Sequence, residues 1–268
     1  MKNFIKQFCF LAAILISVTY SFAQKSEFCG IKNTTFLEGE RVVMKIFYNA
    51  MGAYIGAGEA SFTTELTRFN GKPVYHCVGD GKTYPFFDKF FKVRDRYESF
   101  IDIETMSPLK FLRNVEEGKT KIYNNVTFNQ SANTAVSTNG VFKISPCMQD
   151  VVSAVYYARN INWDKYNPGD KIPFDMFLDD EIYHLYIRYI GKEKIKTQYG
   201  KFNAIKFKPL LVKGTIFDGG EKLSAWVSDD PNHLLLRVES PISVGTVKID
   251  MMSYNGLRYP LTSLISFR

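Results

Sequence analysis

Acidic side chains are the residues of this 268-residue sequence whose types and spacing are best suited to chemistry. Asp95, Glu98 and Asp102 lie in the stretch VRDRYESFID, and further acidic clusters occur at 179–181 and 229–230. Two carboxylates a few ångströms apart can hydrolyse a glycosidic bond, one as the acid and the other as base or nucleophile. The spacing does not determine which carboxylates would converge, so a carbohydrate-active hydrolase is the least favoured of three functional hypotheses.

Other catalytic and metal-binding patterns are missing from the sequence. It has no G-x-S-x-G elbow, no H-E-x-x-H, no phosphate-binding glycine loop and no C-x-x-C. The three histidines are far apart, and the neighbours His76 and Cys77 would point to opposite faces of a strand. We therefore predict no catalytic residue, no metal site and no cofactor, and we favour a non-catalytic protein over an enzyme.

Asp95 is nevertheless unusual because of the strand predicted around it. It alternates with Val93 and Ile101, so it shares a face with these apolar residues. A carboxylate on such a face is costly unless a cation pairs with it. We predict an ion pair with an arginine of another strand or of a helix, such as Arg159, in preference to contact with a ligand.

Four phenylalanines precede this strand in the stretch YPFFDKFF. Phe86 and Phe90 are four residues apart, as are Phe87 and Phe91, so one helical turn would place all four rings along one side. Pro85 suits the first position of such a turn. The pattern predicts a short amphipathic plug packed on a β core, and the alternative is a movable lid over a ligand.

The elements that must position these residues are mainly β-strands. Polar and apolar residues alternate in RVVMKIFYN, IYHLYIRYI and VGTVKIDMM. Turn dipeptides such as Asn70-Gly71, Asn139-Gly140 and Asn255-Gly256 separate such stretches at short intervals. These patterns predict an all-β fold, a large and mainly antiparallel meander that curls into an open or closed barrel-like sheet.

One central segment has helical spacing instead. Its apolar residues predict an α-helix from about 146 to about 161, with Ser145 as the N-cap and Pro146 in the first turn. Gln149 and Asp150 would then lie at the positive end of the helix dipole.

The predicted helix joins two β halves, at about 28–144 and 168–266, within a single β-rich domain of residues 24–268. The formal charge of +7 is spread along the chain without a block of like charges. Such a distribution predicts no nucleic-acid partner.

The N-terminus has the pattern of a secretory signal peptide, residues 1–23. Lys2 and Lys6 precede a short apolar run, and small residues at Ser21 and Ala23 suit signal peptidase. We predict cleavage after Ala23 and no transmembrane segment thereafter; an uncleaved anchor is the alternative. We predict that the exported protein is located in the periplasm or associated with the outer envelope.

Three cysteines follow the predicted leader, namely Cys29, Cys77 and Cys147. Their odd number leaves at least one of them unpaired, and the pairing is open. We favour buried free thiols, since an unpaired cysteine behaves as a small apolar residue. Cys29 follows Phe28 and not a small residue, so we predict that the protein is not a lipoprotein.

Four blocks of the sequence, GEASF, VRDRYESFIDIETMSPLKF, MQDVVSAVYYARN and AWVSDDPNHLLLRVESPISVGTVKIDM, resemble in this order the domain of unknown function 3108, a family of uncharacterised exported bacterial proteins. The resemblance rests on Asp95, Arg96, Tyr97, Asp102, Pro108, Asp150, Ser153, Tyr156, Trp226, Asp229, Asp230 and Gly245. It implies an envelope location and a mainly antiparallel β fold, and it supplies no activity.

Two further hypotheses are non-catalytic. The first, which we favour, is an envelope protein that binds a lipid, an acyl chain or another hydrophobic small molecule in a barrel-like interior. The second is a structural or assembly factor that docks an envelope protein partner. The residues predicted to contact a ligand or to form its lid are Phe86, Phe87, Phe90, Phe91, Asp95, Arg96, Tyr97, Asp150, Tyr156 and Trp226.

Overall fold

Fifteen strands pair into one antiparallel sheet in the computed structural model, which describes residues 30–50, 52–214, 219–242 and 245–268. The predicted leader and Cys29 lie outside the described residues. No helix in the described part of the chain is long and apolar enough to cross a bilayer.

Eight strands come first: β1 Arg41–Ala50, β2 Ala53–Phe69, β3 Lys72–Thr83, β4 Val93–Asp102, β5 Pro108–Glu117, β6 Thr120–Asn129, β7 Thr134–Ser137 and β8 Gly140–Lys143. Seven more follow: β9 Lys171–Leu178, β10 Glu181–Lys196, β11 Gly200–Pro209, β12 Ser224–Ser228, β13 Leu235–Pro241, β14 Thr246–Asn255 and β15 Leu264–Phe267. The helices are α1 Pro85–Asp88, α2 Val151–Arg159 and a 3₁₀ turn at Trp163–Lys165.

The sheet is a meander in two halves. Strands β1 to β8 are paired in chain order, and so are β9 to β14, while β15 pairs with β11. The halves meet where β1 pairs with β14. The free edges of the sheet path are β8 and β9, so the sheet is open. The predicted all-β, mainly antiparallel and barrel-like fold is confirmed.

The free edge of β9 is covered by the segment that leads into α2. Gln149 donates its backbone N–H to the carbonyl of Asp175 at 3.0 Å, and Phe177 donates to the carbonyl of Gln149 at 2.9 Å. From β8, the ring of Phe142 packs on Phe177 with a centroid distance of 5.5 Å. These hydrogen bonds engage backbone groups of β9 that would otherwise be free to pair with another strand.

Helix α2 fills the inside of the curled sheet. Seven of its nine residues are buried. The buried cluster around it takes side chains from β3 to β7 and from β9 to β12. Tyr157 is completely buried at its centre. The interior at this level is therefore packed protein, as in a domain core.

The helix begins later than its apolar spacing predicts. Asp150 is the N-cap, accepting from the N–H groups of Val152 and Ser153, while the Ser153 hydroxyl accepts from the N–H of Asp150. Ser145, the predicted cap, donates its hydroxyl to Asp175 at 2.5 Å instead. The prediction of Ser145 as the cap was wrong because Pro146 and Cys147 form a turn, with Cys147 at φ +62°, and Gln149 then pairs with the edge of β9 before the helix begins.

The cysteines differ from one another. Cys77 on β3 is free and completely buried, as predicted. Burial raises the pKa of its thiol far above the ordinary value. Cys147 takes part in a disulfide, so the prediction of a free thiol was wrong there.

Antiparallel pairing places alternate connections at opposite ends of the sheet. The connections β3–β4, β5–β6 and β9–β10, at residues 84–92, 118–119 and 179–180, therefore lie at one end. We call this end the rim. The β10–β11 connection and β15 lie at the opposite end.

Candidate functional site

Asp95 lies on the inner face of β4, where the alternation places it. Strand β5 pairs with β4 so that Asp95 is opposite Val115 and Val93 is opposite Glu117. Asp95 and Glu117 are therefore diagonal neighbours on the inner face near the rim, within reach of each other. The two carboxyl groups therefore lie side by side in a partly buried site.

The environment of Asp95 favours its protonated form. Burial, followed by the charge of Glu117, raises the pKa of Asp95 to about 7, although Arg113 acts in the opposite direction. Two adjacent carboxylates resist losing both protons. The Oδ1 atom of Asp95 is buried and has no hydrogen-bond partner among the described residues. At neutral pH the pair therefore offers both a donor and an acceptor.

Arg113 lies beside this pair but its hydrogen bonds go elsewhere. Its Nε donates to Oδ1 of Asn124 at 2.6 Å, and one terminal nitrogen donates to Asp179 in the β9–β10 connection. Arg113 is opposite Tyr97 on β4. Burial and the charge of Asp95 raise the pKa of Tyr97 to about 12, so the phenol stays neutral.

Asp95 forms no ion pair with any residue in the described ranges. Arg159, the predicted partner, is buried and binds Glu40 through two hydrogen bonds of 2.5 and 2.9 Å. It also donates to the carbonyl of Asn232. The prediction was wrong because this pair ties α2 to the start of β1 and leaves Asp95 to Glu117.

The phenylalanine turn, residues 84–92, joins β3 to β4 at the rim and leads into the strand that carries Asp95. Its helix α1 begins at Pro85, as predicted, but its rings do not form a buried plug. Phe86 is 62% exposed, Phe90 74% and Phe91 43%. Phe91 packs on the β5–β6 turn, where a Cβ added to Gly118 would lie 2.8 Å from its ring. Phe87 is half-buried, so three of the four rings predicted to share one side are exposed and one is not.

Polar contacts hold this turn in place. Asp88 accepts from Arg94 at 2.6 Å and from the hydroxyl of Thr83 at 2.5 Å. The N–H of Val93 donates to the same hydroxyl at 2.9 Å. These hydrogen bonds fix the position of the turn relative to β3 and β4.

The remaining predicted residues lie away from this place. Arg96 is on the outer face and pairs with Asp80 and Glu98. Asp150 is completely buried as the cap of α2 and accepts from the hydroxyl of Ser99 at 2.6 Å. The contacts of both residues are those of structural groups.

Two predicted aromatic residues also have structural contacts. Tyr156 is buried, and its hydroxyl accepts from Thr64 at 2.9 Å. Trp226 lies in a second buried cluster, and its ring nitrogen donates to Glu193 at 2.6 Å. Of the predicted residues, Asp95 and Tyr97 thus share the inner face of β4, and the phenylalanine turn precedes this strand at the rim.

Arg113 and Glu117 were missed by the sequence reasoning. The stretch FLRNVEE alternates in the same way as β4, so Phe111, Arg113, Val115 and Glu117 share the inner face. Alternation along β5 identifies Arg113 and Glu117 as inner-face residues in the same way that alternation along β4 identifies Asp95.

Two clefts occur elsewhere on the molecule. One of about 480 Å³ lies between the β10–β11 connection and residues 266–268. Another of about 300 Å³ lies beyond α2, with Asn160, Asp164 and Lys192 in its lining. No group of three or more His, Cys, Asp and Glu side chains in the described ranges is arranged to hold a metal ion.

The comparison of sequences gives one family. Residues 44–252 match the family described as "Protein of unknown function (DUF3108)", which confirms the resemblance seen in the sequence. No curated protein matches the chain.

One solved structure shows a similar fold. A β-barrel-like protein of the DUF1849 family from Brucella abortus is similar with a TM-score of 0.54 at 7% identity, covering 82% of this chain and 98% of that chain. A protein with a YmcC-like fold from Bacteroides fragilis has a TM-score of 0.33 at 12% identity, covering 85% and 99%. The first similarity supports a barrel-like fold and no more.

Proposed function

Because the chain belongs to the DUF3108 family, for which no function is described, we propose from its own geometry that it is an exported, non-catalytic envelope protein that binds an amphipathic lipid at the rim. The leader pattern and the family resemblance support export. The site supports the binding function.

One observation carries the proposal: Oδ1 of Asp95 is buried without a donor from the described residues, on the strand that directly follows the exposed phenylalanine rings. A buried acceptor without a hydrogen bond is costly, so a ligand that donates a hydrogen bond to it gains affinity. The rings offer apolar contact to an acyl chain. A lipid with an N–H donor in its headgroup fits both features.

The rim is a better place for the ligand than the interior that the sequence predicted. Helix α2 and its surrounding cluster occupy the inside of the sheet. Above this level, the inner face becomes polar at Asp95, Arg113 and Glu117. The headgroup would therefore lie against this polar face, with the chain along the rings.

Binding is favoured over hydrolysis by the position of the two carboxyl groups. Glycosidases hold their carboxyl groups about 5 Å apart or more, with the sugar between them. Asp95 and Glu117 instead interact directly, and their contact raises the pKa of Asp95. Such a carboxyl pair is suited to binding a hydrogen-bond donor of a ligand.

Matched single-chain lipids test the proposal. Lysophosphatidylethanolamine has ammonium donors, whereas lysophosphatidylcholine has none and is otherwise alike. We expect the protein to bind the ethanolamine lipid about tenfold more tightly, as one charge-assisted hydrogen bond provides. The measurement is fluorescence titration below the critical micelle concentration, together with native mass spectrometry of the purified protein.

Variants locate the binding. Asp95→Ala should remove the preference between the two lipids, while Arg96→Ala, on the outer face of the same strand, should retain it. Equal affinity of the wild type for both lipids, or no binding of either, would contradict the proposal.

A further inference from the structure

The phenylalanine turn forms an exposed apolar surface that the proposed lipid site does not require in full. Phe86 and Phe90 expose most of their rings to solvent and contact each other at a centroid distance of 5.5 Å. Large rings exposed together commonly mark an interaction surface.

Charge around the turn identifies the kind of partner. Lys89, Lys119 and Lys121 are exposed and form no ion pair with any other described residue. Lys119 follows Gly118, against which Phe91 packs. The free charge beside the rings is therefore positive.

Two acidic groups beside the turn are already neutralised. Asp88 is bound by Arg94, and Glu116 pairs with Lys92 at 3.1 Å. Hydrogen bonds from these partners lower the pKa of both carboxyl groups. These acids therefore do not cancel the three free lysines.

We propose that the phenylalanine turn docks the protein on a bilayer surface that carries anionic headgroups. The rings of Phe86 and Phe90 enter the interfacial region, where aromatic side chains are favoured. The stems of the lysines lie along the surface, and their ammonium groups reach the phosphates. This inference goes beyond lipid binding at the rim, since docking needs no ligand beneath the turn.

Vesicle sedimentation tests the docking. The protein, purified as the cell processes it, is mixed with vesicles of phosphatidylcholine or of equal parts phosphatidylcholine and phosphatidylglycerol. We expect binding to the mixed vesicles at least tenfold tighter than to the neutral ones, because each surface lysine contributes about fivefold. Added salt should weaken this binding.

Two variants divide the contributions. Phe86→Ser with Phe90→Ser should reduce binding to both kinds of vesicle. Lys119→Glu with Lys121→Glu should remove only the preference for phosphatidylglycerol. The matched control is Phe267→Ser with Lys201→Glu, which changes an exposed ring and lysine at the opposite end and should bind as the wild type does.

The outcomes separate docking from ligand binding. Far-UV circular dichroism checks that each variant is folded. A folded phenylalanine variant that binds vesicles like the wild type overturns the docking proposal, as does a wild type that binds neither vesicle; in the latter case the turn would fit a protein partner instead. Asp95→Ala should lose its lysolipid preference and keep vesicle binding, so either proposal can fail without the other.

Discussion

Asp95 and Glu117 give the protein a pH dependence that single substitutions can expose. The pKa of Asp95 is raised to about 7 in the folded protein, against 3.8 ordinarily. A raised pKa means that the folded state holds a proton that the unfolded chain has released. The stability from this group is complete below about pH 4 and is lost as the pH rises through about 7.

We expect the urea midpoint of the wild type to fall between about pH 5 and about pH 8, and Asp95→Asn to flatten this decrease. Burial also raises the pKa of Asp150 to about 7, so a residual slope should remain in the variant. Equilibrium unfolding at several pH values measures both slopes. Identical slopes in the variant and the wild type would show that Asp95 is not the titrating group.

Alternation predicted the direction of Asp95 but not its partner. The inner face of β4 follows from period two, which is a local property of the strand. Which residue lies diagonally across depends on the register of β5, and that is set by the turn between the strands and by the packing below. An arginine was predicted from the cost of a lone charge, whereas the strands supply Glu117 and protonation lowers that cost.

At the scale of elements, the phenylalanine turn depends on the absence of a side chain at Gly118. This residue has φ +62°, and an added Cβ would lie 2.8 Å from the ring of Phe91. Gly71 in the β2–β3 turn has φ +80° and no neighbour within 4 Å of an added Cβ. An alanine would therefore have similar backbone strain at both positions, and only at position 118 would it also contact a ring.

Gly118→Ala should destabilise the protein more than Gly71→Ala does. Both substitutions cost about 1–2 kcal/mol from the left-handed backbone, and contact with the ring adds on the order of 1 kcal/mol at Gly118. Phe91→Ala in the Gly118→Ala background should remove the added part. Urea unfolding of the wild type, the two glycine variants and the double variant measures the free energies of unfolding. Equal decreases for Gly118→Ala and Gly71→Ala would mean that Phe91 does not pack on the turn.

Element boundaries were harder to predict than element types. Helical spacing continues through Met148, yet residues 146 and 147 form a turn and Gln149 bonds to the edge of β9, so the helix begins only after them. Asp150, the first residue after the contact with β9, is therefore the N-cap of α2. Spacing also could not show that Phe86 is exposed while Phe87 is half-buried, because it does not specify what each ring faces.

At the scale of the molecule, the meander follows from short turns, whereas its openness follows from α2. A closed barrel would need β8 to pair with β9. That place is taken by the segment around Gln149, and the helix that follows occupies the inside. Periodicity describes each strand separately, so it predicted curling without distinguishing an open sheet from a closed one.

The joining of the two halves predicts how the chain unfolds. Strand β1 pairs with β14 along nine residue pairs, and Arg159 of α2 binds Glu40 just before β1. Separating the halves would break a central strand pairing and leave a buried charge without its partner, which is costly. We therefore propose that residues 30–268 unfold as one cooperative unit.

Natural probes in the two halves can test this cooperativity. Trp163 and Trp226 are buried in the second half and report through fluorescence, whereas Cys77 is buried in the first and reports through thiol labelling, located by peptide mass spectrometry. We expect both signals and far-UV circular dichroism to change at the same urea concentration. Labelling of Cys77 at a lower concentration would mean that β1–β8 can open while β9–β15 remains folded, and the pairing of β1 with β14 would then be the weak point of the sheet.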